Sequence, residues 1–271
     1  NPSYMFSSCR NSNCSFLEWF WLITIALLTT VATGLISLYQ LNGVDQAMIS
    51  TRYYTMMVPA NFTFQIWAVI YTSWIALGIY QAYAYCNQNS GWMGAIRQKL
   101  WGHTGVSPCS IMLLSIVMLL TLVWLFAWHF SMIFTSLLVM SLILGVLGYW
   151  WYRDRPTEMK YTKWVMELTA GWITVAIIAN LGAFFVSADI VPDMISHRSF
   201  VYFIGFPALA WALGFFFYTR SQVALGVLTW SILGLISARS GESLIQVILI
   251  ALLVISLVLN VLLGDKKIKL P

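Results

Sequence analysis

Apolar runs long enough to cross a lipid bilayer recur along almost the whole chain, and no other feature constrains its folding as much. A hydrocarbon core about 30 Å thick needs about 20 helical residues per crossing, and every backbone amide inside it must be bonded within the protein. Only 8% of the residues are charged, whereas a soluble domain carries about a quarter. The runs leave no room for a sizeable soluble domain. The expected fold is therefore all-α, a polytopic integral membrane bundle of about eight transmembrane helices forming a single domain over residues 1–271.

Hydropathy and loop residues place the spans at Phe16–Tyr39, Phe62–Tyr85, Pro108–Trp128, Ser131–Trp151, Trp164–Val186, Phe200–Tyr218, Gln222–Ala238 and Ser243–Leu263. The stretch from Pro108 to Trp151 is too long for one crossing, so the region around His129 divides it into a tight hairpin. The seventh span is the shortest. The run from Phe16 is too long and too aromatic for a cleaved signal peptide and is expected to be a helix of the mature protein.

Eight crossings put eleven basic residues on the side of both termini: Arg10, Arg97, Lys99, Arg153, Arg155, Lys160, Lys163, Arg220, Lys266, Lys267 and Lys269. Arg52, Arg198 and Arg239 fall opposite, among Asp45, Asp189, Asp193 and Glu242. That asymmetry predicts termini facing the cytoplasm, or the stroma or matrix of an organelle. The net charge of +5 then reports orientation, and no nucleic-acid partner is expected. Cys9, Cys14, Cys86 and Cys109 map to the same side and are expected to stay thiols in a reducing compartment. Neither acceptor sequon, at Asn13 or Asn61, is expected to be glycosylated.

Catalysis in a membrane usually needs ionisable groups held at mid-bilayer, where each costs about 2.5–3.5 kcal/mol on insertion scales. The span interiors contain almost none. Glu18 and Glu167 sit in first turns on the positive side, and Glu167 follows Lys163 by four residues, which predicts an interfacial ion pair. No span interior carries a lysine, which removes a retinal Schiff base. His103, His129 and His197 lie in loops or at the hairpin turn without a second ligand at metal spacing, so a hydrogen-bonded interfacial histidine is expected. Hydrolytic motifs are missing, and the chain reads as non-enzymatic.

Aromatic residues remain. Trp19, Trp21, Trp101, Trp150, Trp151 and Trp164 fall near helix ends and are explained as interfacial anchors. Three sets lie deeper and repeat at helical spacing: Trp67, Tyr71 and Trp74; Thr121, Trp124 and Trp128; Trp172, Ala176 and Asn180. Gly78 adds a notch to the first stripe. Each stripe suits either aromatic packing between helices or the wall of a pocket for a flat apolar ligand, with Asn180 or Tyr71 as its polar fixing group. Asn180 needs a partner in both cases. Gly171, Ala176, Ala179 and Ala183, and Gly145 with Gly148, would let a neighbouring helix approach closely.

Two separated motifs resemble the tryptophan-rich sensory protein family (TspO/MBR, the translocator-protein family). Pro59 followed by Phe64, Trp67 and Tyr71 is similar to the proline, Phe, Trp and Leu-Tyr pattern opening that family's second helix. Trp172-Ile-Thr-Val-Ala176-Ile-Ile-Ala-Asn180 matches its Trp-x3-Ala-x3-Asn. Trp124 and Trp128 resemble its third helix, with Thr121 where an Asn is usual. Gln65-Ile66 leaves the interval to Trp67 one residue short, without the family's additional proline.

The match covers Pro59 to Asn180, and eight helices rather than five suggest a longer, divergent branch. It implies a core over residues 59–186, preceded by a helix and loop (1–58) and followed by three additional helices (187–271). The resemblance implies binding of a planar hydrophobic molecule, with porphyrin, chlorophyll, carotenoid and sterol-like compounds as candidates. The residues that would line the pocket are Trp67, Tyr71, Trp74, Trp124, Trp128, Trp172 and Asn180. The alternative expectation is an accessory or pigment-holding subunit of a photosynthetic or respiratory complex, with other membrane subunits or a second copy as partners besides the bilayer.

Overall fold

The computed structural model describes residues 16–86, 106–155, 160–190 and 193–264. They form ten α-helices: α1 (Phe16–Leu38), α2 (Gln46–Arg52), α3 (Ile66–Cys86), α4 (Pro108–His129), α5 (Ile133–Arg153), α6 (Lys160–Ser187), α7 (Met194–Phe200), α8 (Phe206–Tyr218), α9 (Gln222–Ala238) and α10 (Ser243–Gly264). A π-helical turn at Val201–Gly205 joins α7 to α8 in one crossing, His197–Tyr218. It is located just before Pro207, which has no amide hydrogen to continue the regular ladder. Seven crossings are long and apolar enough to span a membrane, and α9, apolar but only 17 residues long, is the eighth. Thus all eight expected spans are helical, and the fifth starts earlier than expected, at Lys160.

α1, α3, α6, α5 and α4 pack in that order into a ring, which α4 closes against α1. α9 lies against the outside of α6, and α8 and α10 pack on α9. Two glycines permit these contacts. A Cβ on Gly78 would lie 2.9 Å from the backbone of Ile23 in α1, and one on Gly171 would lie 3.0 Å from that of Ala224 in α9. Gly145 and Gly148 face open space, so the close approach expected on α5 does not occur there. Gly171→Val should push α9 off α6 and cost about 1–3 kcal/mol, read as a lower unfolding temperature in detergent, while Gly148→Val should be nearly silent.

The segment between α1 and α3 folds back over one end of the ring. Gln40, Asn42 and Gly43 adopt left-handed conformations that reverse the chain, and Asp45 caps α2 by accepting from the Met48 amide at 2.7 Å. Asn42 Nδ2 then donates to the His129 carbonyl at 3.0 Å, and Trp128 Nε1 donates to that of Gln46 at 3.3 Å. The lid so formed is fastened from the other side by α9. The buried Arg239 guanidinium donates to the carbonyls of Thr55 (3.1 Å), Met56 (2.8 Å) and Val58 (2.8 Å), and stacks on Tyr54. The Ala60 amide donates to the Gly234 carbonyl (3.0 Å) and Trp230 Nε1 to that of Thr63 (3.0 Å). A Cβ on Gly234 would overlap Thr63 Oγ1, so only glycine admits this crossing.

Several expectations are corrected. Cys109 is disulfide-bonded rather than a free thiol. Trp150 and Trp151 are buried rather than interfacial, because their faces of α5 meet α4 and α8. Trp150 Nε1 donates to Ser110 Oγ at 2.8 Å, and the Trp151 ring packs on Phe215 and Phe216. Glu167 pairs with Arg155 (2.7 Å) and accepts from Ser221 Oγ (2.6 Å), tying α6 to the N-cap of α9. By contrast, Trp164 is partly exposed and stacked on Tyr161. His129 is buried with Nδ1 2.9 Å from the Leu125 carbonyl. Trp101, His103, Cys9, Cys14, Asn13, the Cys86 side chain, Arg10, Arg97, Lys99, Lys266, Lys267 and Lys269 lie outside the described residues.

Candidate ligand pocket

Under the lid, the ring interior is built from stacked indoles. Trp67 on α3 lies nearly parallel to Trp124 on α4, with ring centres 5.6 Å apart and an interplanar angle of 27°. Trp124 in turn lies 6.0 Å from Trp128 at 23°. Helical spacing puts Trp124 and Trp128 one above the other, and Trp67 slides against them because α3 and α4 face each other across the ring. Trp172 on α6 meets Trp67 edge-on at 6.1 Å, and Phe64 meets Trp172 edge-on at 6.0 Å. Edge-to-face and offset stacks are the favourable aromatic geometries.

Asn180 joins three helices at the side of this stack. Its Oδ1 accepts from Ser136 Oγ on α5 (2.6 Å) and Trp124 Nε1 on α4 (3.4 Å), while its Nδ2 donates to the Ala176 carbonyl (3.2 Å). The amide is thereby provided for, as burial in an apolar interior requires. Ala176, Ala179 and Ala183 line the space beside it instead of admitting another helix.

Of the seven expected residues, Trp67, Trp124, Trp128, Trp172 and Asn180 surround one pocket. Tyr71 and Trp74 do not. Tyr71 stacks on the far side of Trp67, at 5.4 Å, and faces a lateral groove between α1 and α3. Trp74 is deeper, edge-on to Tyr71, with its Nε1 donating to Thr169 at 3.2 Å. The lid supplies Gln46, Ser50, Tyr53 and Val58, which the aromatic spacing had not suggested. Their signal was Asp45, a helix-capping residue in what reads as a plain loop.

The pocket space is only about 30 Å³, room for one or two waters, whereas a drug-sized ligand occupies sites of about 300–1,000 Å³. The rings fill their own cavity. Most indoles here have acceptors, but Trp172 Nε1 is buried with no hydrogen-bond partner among the described residues. Tyr71 Oη and Thr33 Oγ1 lie near each other without a bond of good geometry.

A family model described as TSPO-like protein matches residues 18–263. The chain belongs to the TSPO-like protein family. The match runs from α1 through α10, well beyond the Pro59–Asn180 stretch that carries the motifs, so the helices outside the ring are part of what the family model describes. No curated protein and no solved structure matches the chain. This TSPO-like protein thus combines a ring of five helices around an indole stack with three further crossings, of which α9 fastens the lid.

Proposed function

We propose that this TSPO-like protein is a non-enzymatic binder of a planar hydrophobic ligand, seated between α3, α4 and α6, for sensing, carriage or storage. The observation that carries the reading is the Trp67–Trp124–Trp128 stack beside the buried Trp172 N–H, which has no acceptor among the described residues. A flat π-system would replace one ring-to-ring contact with a ring-to-ligand contact of the same kind. A carbonyl, carboxylate or ring nitrogen on it would satisfy Trp172 Nε1, relieving a cost of about 1–3 kcal/mol. Tetrapyrroles and oxygenated carotenoids have both features, while a sterol-like molecule would offer the oxygen and a flat apolar face without the π-system. Because the resting pocket is closed, binding requires Trp67 or the lid to move. The apolar outer face of α10 is what a bilayer requires of any peripheral span and adds nothing in favour of a subunit role.

Trp172→Phe separates the ligand reading from simple packing. It keeps most of the ring and deletes the unpaired donor, so fold stability should hold or rise slightly. Affinity for protoporphyrin, titrated by absorbance and tryptophan quenching in detergent, should fall about 5- to 150-fold, the equivalent of about 1–3 kcal/mol. Unchanged affinity would remove Trp172 from the site, and wild-type protein that binds no planar probe would end the proposal. The absorption spectrum and mass of whatever co-purifies with native protein would name the ligand class.

We further propose that both termini face the cytoplasm-like side. Arg155, Lys160, Lys163 and Arg220 converge at one end of the bundle, while Arg198 pairs with Glu242 (3.2 Å) and Arg239 is buried under the lid at the other. The Cys109 disulfide on that same side would suit an oxidising compartment, whereas the excess of basic residues there marks the cytoplasm-like face. Impermeant amine labelling of Lys160 and Lys163 in sealed vesicles of known orientation checks the assignment.

A further inference from the structure

We propose a second site, distinct from the indole pocket: a groove for an anionic phospholipid on the outer surface between α3, α6 and α9. The groove has a volume of about 760 Å³ and is open to the surface of the bundle. Its two ends differ in chemistry. Arg155, Lys160, Lys163 and Arg220 stand at the end where α6 and α9 begin. Val69 and Ala76 of α3 line it further into the membrane, with Val223 on the α9 wall. Trp164, stacked on Tyr161, sits among the basic side chains at the depth where amphipathic rings prefer the membrane interface.

Charge complementarity selects the occupant. Among the described residues, four cations and one carboxylate, Glu167, line the groove, and Glu167 is engaged by Arg155 (2.7 Å) and by Ser221 Oγ (2.6 Å). A site of this polarity suits a phosphate-bearing headgroup at the basic end and an acyl chain laid along Val69 and Ala76. Basic pockets between transmembrane helices recognise anionic headgroups by this combination. A zwitterionic phospholipid brings its phosphate with a compensating ammonium that the basic end disfavours, and free phosphate lacks the chain for the apolar end.

The test uses the full chain in mild detergent, with native mass spectrometry counting retained lipid and thermal unfolding as a second readout. Phosphatidylglycerol should be retained at least tenfold more than phosphatidylcholine. Lys160→Gln and Arg220→Gln should each lower that preference about fivefold, while Arg153→Gln, on the same face but outside the groove, should leave it unchanged. Equal loss from Arg153→Gln would reduce the effect to the general charge of that face and overturn the site. So would stabilisation by inorganic phosphate matching that by phosphatidylglycerol, or a variant pair that folds normally and keeps the full preference. None of these readouts involves a planar ligand, so the two proposed sites stand or fall separately.

Discussion

Arg239→Met should destabilise the protein by on the order of 3–6 kcal/mol, because it leaves the carbonyls of Thr55, Met56 and Val58 without their shared donor. The methionine fills much of the space but offers no hydrogen bond, and the Thr55 oxygen keeps its other bond, from the Val58 amide at 3.1 Å. Burial lowers the pKa of this guanidinium, with the Tyr54 contact opposing the shift, and it remains charged at neutral pH. Thermal unfolding in detergent should show a large drop in midpoint, and limited proteolysis should cut between α1 and α3. Arg239→Lys should recover only part of the loss, since an ammonium cannot present a planar fork to three acceptors. A variant with wild-type unfolding and protease resistance would show that the lid is held by packing alone.

Trp67→Ala should cost about 3–5 kcal/mol. Trp67 stacks on Tyr71 and Trp124 and receives the edge of Trp172, so its removal takes away the shared member of three ring contacts. Loss of ligand binding in that variant would therefore say little about contact with the ligand. Trp67→Phe is the better companion, since it should recover about half of the stability while changing the width of the stacking face. If Trp67→Ala unfolds at the wild-type temperature, the rings do not support the ring of helices as described.

The eight crossings were legible because the bilayer imposes a length that any sequence must meet. The indole stack was legible because Trp124 and Trp128, one helical turn apart, must share a face. Which way a ring turns was not. Trp150 and Trp164 both lie near helix ends, yet Trp150 is buried against Ser110 while Trp164 faces outward. Gly145 and Gly171 looked alike in sequence, and only Gly171 meets another backbone. Periodicity describes one helix and contains nothing about its neighbour. The lid escaped for a similar reason, since Arg239 and the carbonyls it holds are separated by more than 180 residues.

The fastening of the lid by α9 makes the indole pocket and the C-terminal helices thermodynamic partners. If a guest enters by lifting the 55–63 segment, it must loosen the Arg239 bonds and the Gly234 crossing, and the free energy of entry includes that loss. Linkage is reciprocal: anything that tightens the seating of α9 on α6, at Gly171 or through Glu167 and Ser221, would lower affinity for such a guest. A molecule lodged among the tryptophans would then be felt outside the ring, as a change in how firmly α9 is held.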